Sequence, residues 1–512
     1  MEEIDFVDVT MRDGHQSLWA TRMTAAMMLP IAPIMDRAGF KCIQVGSSGN
    51  HFVAYARYLR ENPWEKLRLL AKAMPRTPLH GAVRSRGVWS FGIQPDSVVE
   101  LFIRRLAAYG IRRLGIFDPL HDFPNIYDSV RIAHAVGLEV EGCLVYSISP
   151  VHTDDYYARK AAELARMKVD FIMIKDSIGL LTPERTRTLV PAIMKNLDGV
   201  PLEIHSHCTT GLAPLCYVEA VKLGVRTVHT ASRPLANGNS LPSVENTLKN
   251  IQRLGFTSSL DAEALETIAA HFSYVARKEG KPMGVPVEYD LSQYDHQIPG
   301  GMRSNLESML SIRGDAHRLE EVLGETIQVH KELGYPVMIT PLSQIVGTQA
   351  VLNIVSGERY SLVPDEVYKY VLGFYGKTVA PVEPNVLDRI LGSARGKEFL
   401  KWQLPQPSIK DLHRQFGGRL SDDQLLLQLM LPEESVEGIH ALTSAPIKTD
   451  YPSPALENNE VVLVRELARQ TNVSYVHCEK GDLSITLQRN QQPDRGGVAG
   501  TVLSSMIREK TE

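Results

Sequence analysis

The chain has 512 residues, 44% of them hydrophobic and 22% charged, with a formal net charge of -4. That balance excludes the basic surface a nucleic acid or an anionic membrane demands. No run approaches about 18 uncharged apolar residues, so no membrane span is expected. The start, Met1-Glu2-Glu3-Ile4-Asp5, lacks an apolar signal core. Five scattered cysteines without CxxC spacing argue against a disulfide framework or a structural zinc knuckle. The cytoplasm is the expected location.

In chain order, the first half alternates strand-like and helix-like patterns. Strands are expected at 4–10, 41–46, 79–84, 112–117, 138–147, 169–175, 201–206 and 226–230. Amphipathic helices are expected between them, among them Asp96–Tyr109, Asp154–Met167, Pro183–Asn196 and Leu212–Leu223. Thr182 reads as an N-cap with Pro183 at the first helical position. Eight βα units over about 250 residues are the content of a (β/α)8 TIM barrel. A doubly wound sheet lacks its GxGxxG after the first strand. The expected fold class is α/β: a barrel over 1–258, a mainly helical domain over 259–445, and a linker with a small α+β tail over 446–512.

In the helical domain the runs are 261–279, 305–312, 318–333, 343–355 and 364–374. Tyr289–Arg303 reads as a loop, its Pro299-Gly300-Gly301 setting an unusual backbone path of architectural use. In the tail a helix is expected at 460–470 and strands at 473–478 and 482–488 about a turn at Lys480-Gly481. The Gly-rich end is expected to be disordered.

Charged groups at the C-terminal ends of barrel strands sit where such folds place their chemistry. Asp13 follows the first strand, and His205-Ser206-His207 ends the seventh. In His-x-His on a strand both rings project to one side. With Asp13 they form a candidate divalent-metal site, for Zn, Mn or Co by ligand type. Lys175 closes the apolar sixth strand. It either pairs with Asp176 or Asp118, or stays neutral and takes up carbon dioxide as a metal-ligating carbamate. Arg84 is a carboxylate clamp or a structural ion pair, and Gln16 faces a carbonyl oxygen. Asp118 would orient Arg84 or Arg12, itself a catalytic candidate. Asn239 gives its amide oxygen to the metal or to substrate, or else caps a helix after the Asn237-Gly238 turn.

Arg12-Asp13-Gly14-His15-Gln16-Ser17-Leu18-Trp19-Ala20-Thr21-Arg22-Met23 closely resembles the signature of biotin-dependent carboxyltransferases acting on 2-oxo acids. These include the carboxyltransferase part of pyruvate carboxylase, the oxaloacetate decarboxylase α subunit and the transcarboxylase subunit that handles pyruvate and oxaloacetate. The resemblance continues through Glu61-Asn62-Pro63-Trp64, Ser147–Thr153, Ile174-Lys175-Asp176, Leu180–Pro183, Gln297–Glu307 and Thr340–Ala350, spanning about residues 4–400. It implies a metal held by Asp13, His205, His207 and a carbamylated Lys175, and a 2-oxo acid bound by Gln16 and Arg84. It also implies a homodimer, with a biotin carboxyl carrier or biotin carboxylase subunit as partner. No Met-Lys-Met occurs, so biotin would arrive on a separate carrier.

Three departures stand out. Val45-Gly46-Ser47-Ser48-Gly49-Asn50 replaces the family's Trp-Gly-Gly-Ala-Thr, and Arg12-Asp13-Gly14 replaces Arg-Asp-Ala. Asn239 stands where pyruvate carboxylase has a catalytic Thr, leaving Ser240 as the substitute hydroxyl. Gly238-Asn239 resembles instead the metal-ligating Gly-Asn of 2-isopropylmalate synthase and 3-hydroxy-3-methylglutaryl-CoA lyase. The expected function is a metal-dependent carboxyltransferase or decarboxylase acting on an oxaloacetate- or pyruvate-like 2-oxo acid through an enolate. The alternative is a biotin-independent aldolase, lyase or Claisen-type synthase on a larger 2-oxo acid; a degenerate scaffold subunit is the third class.

Overall fold

The computed structural model describes residues 2–89, 92–299, 302, 306–307, 309–311, 314–454, 475–480, 483–489 and 503–509. Eight parallel strands close into a barrel in sequence order: β1 (Asp5–Asp8), β2 (Cys42–Gln44), β3 (Leu79–Arg84), β4 (Ile111–Phe117), β5 (Glu139–Val145), β6 (Phe171–Asp176), β7 (Leu202–Ser206) and β8 (Thr227–Thr230). β1 pairs with both β2 and β8, which completes the ring. The expected strands are all present, each bound within two residues of its expected place; β4 starts one residue early and β6 ends one residue late. Helices Asp96–Ala108, Asp154–Arg166, Pro183–Met194 and Ala213–Lys222 lie where amphipathic periodicity put them. Thr182 accepts a hydrogen bond from the Arg185 amide, with Pro183 opening the helix as expected. Thr153 and Ser243 cap two further helices in the same way.

The barrel interior is not the usual filling of branched aliphatic side chains. Arg113 of β4 is buried between two buried carboxylates. Its Nη2 donates at 2.6 Å to Glu141 Oε1 of β5 and at 2.6 Å to Glu203 Oε2 of β7. His80 Nε2 lies 3.2 Å from Glu141 Oε2, and His229 Nε2 lies 3.0 Å from Glu203 Oε2. Burial opposes the charge on Arg113, but the two glutamates more than offset it, and its pKa is raised. The Phe171 ring covers the guanidinium 3.9 Å away.

After the barrel the chain is mainly helical, with Ala262–Lys278, Leu319–Glu332 and Leu342–Ser356 the longest elements. Between the last two, Val337 and Ile339 enter the barrel mouth and pack on Phe117, Cys143, Val145 and Met173 from the inner faces of β4, β5 and β6. The stretch read as a loop at Tyr289–Arg303 contains a short helix, Ser292–His296. Gln297 staples it down: its Oε1 accepts from Ser147 Oγ and the Ile148 amide, and its Nε2 donates to the Ile148 carbonyl at 2.7 Å. Gly300, Gly301 and parts of the expected 305–312 helix lie outside the described residues.

The chain divides into two compact units, Met1–Asp450 and Tyr451–Glu512. The second holds an antiparallel sheet in the order β11-β10-β9, with β9 (Tyr475–Lys480), β10 (Leu483–Arg489) and β11 (Leu503–Glu509). The expectation of a disordered end therefore fails at Leu503–Glu509. An isolated two-stranded hairpin is marginal in water, and a third strand satisfies the open edge of β10. The helix expected at 460–470 and the turn residue Gly481 lie outside the described residues. Cys42, Cys143, Cys208 and Cys216 are buried and free. Among the described residues no helix is long and apolar enough to cross a membrane.

Removing one partner from a buried ion cluster leaves an uncompensated charge, at a cost of about 3–5 kcal/mol. Arg113→Met is therefore expected to lower unfolding stability by that amount. A denaturant midpoint matching that of the unaltered protein would show that Glu141 and Glu203 do not need this cation.

Candidate active site

Asp13 sits in the turn directly after β1, where the backbone winds through Thr10–Gly14 into the short helix His15–Trp19. His205 lies on β7 and His207 just past its end, so both rings face the barrel axis. The donor atoms of Asp13, His205 and His207 all lie within 4.8 Å of one another, and all three residues are buried. His205 Nε2 is 3.3 Å from Asp13 Oδ2, His207 Nε2 is 3.6 Å from Asp13 Oδ1, and the two Nε2 atoms are 3.3 Å apart. Donors about 2.1 Å from an ion at tetrahedral angles stand roughly 3.4 Å apart, so this spacing fits one transition-metal ion.

The donor chemistry fits as well. Burial works against charge on Asp13, yet Arg12 and the two imidazoles hold its carboxyl well below the usual range. Burial, aided by the Lys175 charge, keeps the His205 pKa far down, which leaves a neutral ring suited to ligation. His207 Nδ1 is 2.6 Å from the Asn239 carbonyl oxygen. A carbonyl only accepts, so Nδ1 carries the proton and Nε2 presents its lone pair to the cluster.

Asp13 and His207 form one wall of a cavity of about 280 Å³, with His205 fully buried beside them. Arg12, Gln16, Arg84, Lys175 and Asn239 line it too, so most of the candidates named from the sequence meet here. Arg12 is ion-paired with Asp13. Arg84 donates through Nε to the Gly87 carbonyl at 2.7 Å; burial brings its pKa down to about 10, which leaves it charged near neutrality. Lys175 stands in register with His205 on the neighbouring strand, and its pKa is lowered, by burial first and then by Arg12. The Asp176 carboxylate instead accepts from the amides of Gly179, Leu180 and Leu181 and from Ser206 Oγ. Among the described residues, neither Asp176 nor Asp118 is ion-paired with Lys175.

Two candidates lie elsewhere. Asp118 is absent from the cavity wall and binds the loop after β4, accepting from the Leu120 and Asp122 amides and from Asn125 Nδ2. Burial pushes its pKa up to about 6. Ser240 is fully buried behind the cavity, and its carbonyl takes the Cys208 amide. Asn239 reaches the rim after left-handed Asn237 and Gly238, and its side chain is exposed. Its link to the cluster is the backbone carbonyl that accepts from His207.

The helical region supplies residues that spacing did not reveal. Ile339, Thr340, Ser343 and Gln344 line the cavity opposite the barrel. Ser343 is 1% exposed and its Oγ has no hydrogen-bond partner among the described residues, so a buried hydroxyl is left open on the wall. Asn50, from the segment that departs from the family pattern, lines it as well.

Residues 294–474 match the conserved carboxylase domain family and residues 123–271 the HMGL-like family. A pyruvate carboxylase subunit of Methanocaldococcus jannaschii is 43% identical over 390 residues, covering 76% of this chain and 68% of that protein. The chain belongs to the biotin-dependent carboxyltransferase family. The 2-oxoglutarate carboxylase large subunit of Hydrogenobacter thermophilus is a relative of this carboxyltransferase, 31% identical over 471 residues, covering 90% of this chain and 72% of its own. The carboxyl transferase domain of Rhizobium etli pyruvate carboxylase, solved with pyruvate and biocytin, shares the fold. Its TM-score is 0.79 at 22% identity, with 99% of this chain and 89% of that one covered.

The carboxyltransferase is expected to retain one divalent transition-metal ion per chain through dialysis. His207→Ala is expected to lose it while far-UV circular dichroism stays unchanged. Unaltered metal content in that variant would remove His207 from the ligand set.

Proposed function

We propose that this chain is the carboxyltransferase subunit of a two-part enzyme, moving a carboxyl group between biotin on a separate carrier and a 2-oxo acid. The observation that carries the reading is the cluster of Asp13, His205 and His207, whose Asp13 and His207 line a cavity shared with Arg84 and Lys175. We read it as cytoplasmic and homodimeric, with a catalytic barrel over 1–258 and a helical domain over 259–445.

Arg84 takes the substrate carboxylate, since a guanidinium offers a planar fork of donors. Gln16 holds the carbonyl side from the cavity rim. Asp13, His205 and His207 would hold a divalent ion, which would supply Lewis-acid polarisation of the 2-oxo group when bound. As the carboxyl group leaves, the electron pair of the broken C–C bond becomes the enolate, inside walls of Phe117, Ile339 and Met302 that limit water. Lys175 has a depressed pKa and so a larger neutral fraction. Its amine can add carbon dioxide and release a proton to become a carbamate, which would offer the ion a fourth donor beside one carboxylate and two imidazoles. Ser343 Oγ, buried and without a hydrogen-bond partner among the described residues, is read as the hydroxyl that moves a proton between the substrate methyl group and the biotin nitrogen, the role Asn239 cannot fill.

The Gly46-Ser47-Ser48-Gly49 segment is packed away from the cavity and leaves only Asn50 on its wall; a substrate larger than pyruvate, a 2-oxo dicarboxylic acid, draws its support from the relative named 2-oxoglutarate carboxylase. The second reading, a biotin-independent lyase or synthase, draws on the loss of the family Thr at Asn239.

The test is decarboxylation of oxaloacetate and of larger 2-oxo dicarboxylic acids, with and without a biotinylated carrier. Carrier-dependent turnover is expected, with slow exchange onto free biotin. Arg84→Gln is expected to raise KM by roughly 10- to 100-fold, the loss of one charged hydrogen-bonded contact. Ser343→Ala is expected to cut carboxyl transfer by about 100-fold. Equal turnover without any biotin overturns the first reading in favour of the second.

A further inference from the structure

Behind the metal-site candidates, on the side away from the cavity, His205 Nδ1 lies 3.4 Å from His229 Nδ1 of β8. His229 Nε2 lies 3.0 Å from Glu203 Oε2, the same oxygen that accepts from Arg113 Nη2. All four side chains are 0–1% exposed. Glu203, His229 and Glu141 also have donor spacing compatible with a second ion. Arg113 already places its cation between those two carboxylates, so that position is filled by the protein itself.

The proton positions follow from the far end inward. Glu203 Oε2 accepts from Arg113 Nη2, and a carboxylate accepts only. His229 must therefore donate from Nε2, and in a neutral ring its Nδ1 is left as an acceptor. The facing nitrogen, His205 Nδ1, must then carry a proton. That leaves a lone pair on His205 Nε2, the atom 3.3 Å from both Asp13 Oδ2 and His207 Nε2. With the Asn239 carbonyl fixing His207, every donor turned toward the shared centre is an acceptor of positive charge.

We propose that His229, set by Glu203 and Arg113, is a positioning residue that fixes His205 in its metal-ligating tautomer. The inference rests on the metal reading given above, and outer partners of this kind typically contribute 10- to 100-fold in metal affinity. A leucine at 229 keeps the volume and loses both hydrogen bonds. A glutamine can accept from His205 through its amide oxygen and donate to Glu203 through its amide nitrogen.

The experiment measures zinc and cobalt affinity of the full chain by chelator competition, with the melting temperature of each metal-free variant as a fold control. His229→Leu is expected to weaken binding 10- to 100-fold and His229→Gln to restore it to within a few-fold. A purely structural His229 would give both variants the same affinity relative to fold stability. Nitrogen-15 NMR of the zinc-loaded unaltered protein needs no variant, and is expected to show His229 protonated at Nε2 and bare at Nδ1. A neutral His229 protonated at Nδ1, or a folded His229→Leu protein with undiminished affinity, overturns the proposal and leaves the metal reading standing. An unaltered protein that binds neither ion overturns both.

Discussion

One cation, that of Arg113, conditions the rest of the barrel. Glu141 and Glu203 point into a space closed to water, where two unpaired carboxylates would be untenable. The guanidinium between them links β4, β5 and β7, and the imidazoles of His80 and His229 extend the network to β3 and β8. Five strands are thus tied by directional contacts instead of aliphatic packing alone. A polar layer of this kind tolerates fewer alternative registers than an apolar one, because a one-residue slip would turn its charges into the surrounding hydrophobic shell.

On this layer stands the site. The period-two geometry of β7 that sends Glu203 inward also sends His205 inward one level higher, and His207 above that. Strand and chemistry share one repeat: a buried carboxylate, a ligand candidate held from behind, and a ligand candidate at the mouth. The helical region completes the cavity from the other side, where Val337 and Ile339 fix the approach of Thr340, Ser343 and Gln344. The barrel supplies the charged groups, and the helical region supplies neutral hydrogen-bonding groups and cover.

Much of this was legible in the sequence. The eight strands follow from short apolar runs separated by capped amphipathic helices, and Thr182-Pro183 marked its helix start unaided. Asp13, His205 and His207 were legible because each ends a strand, where a barrel gathers its chemistry. Asp118 also ends a strand, but its carboxylate is consumed by the amides of its own loop, a local contact that spacing cannot separate from a functional one. Ser240 was placed by its neighbour in sequence; the loop through Asn237 and Gly238 turns it inward instead. Ser343 was out of reach, since it enters the cavity through a packing of distant segments. Glu203 and Glu141 stand alone in apolar strands, and nothing local announces that they share one arginine from β4.

The four buried thiols have a further consequence. Burial raises the pKa of each, to about 12 for Cys42 and Cys216 and well above the ordinary thiol value for Cys143 and Cys208. The thiolate is the reactive form, so in the closed fold these sulfurs are inert to alkylation and oxidation. Each becomes a silent clock for the opening of its own surroundings. Cys143 lies beneath Val337 and Ile339, whereas Cys42 packs with Val7, Val9 and Leu241. A labelling rate at Cys143 that outpaces Cys42 would therefore time the lifting of the helical insert apart from the breathing of the barrel that carries it.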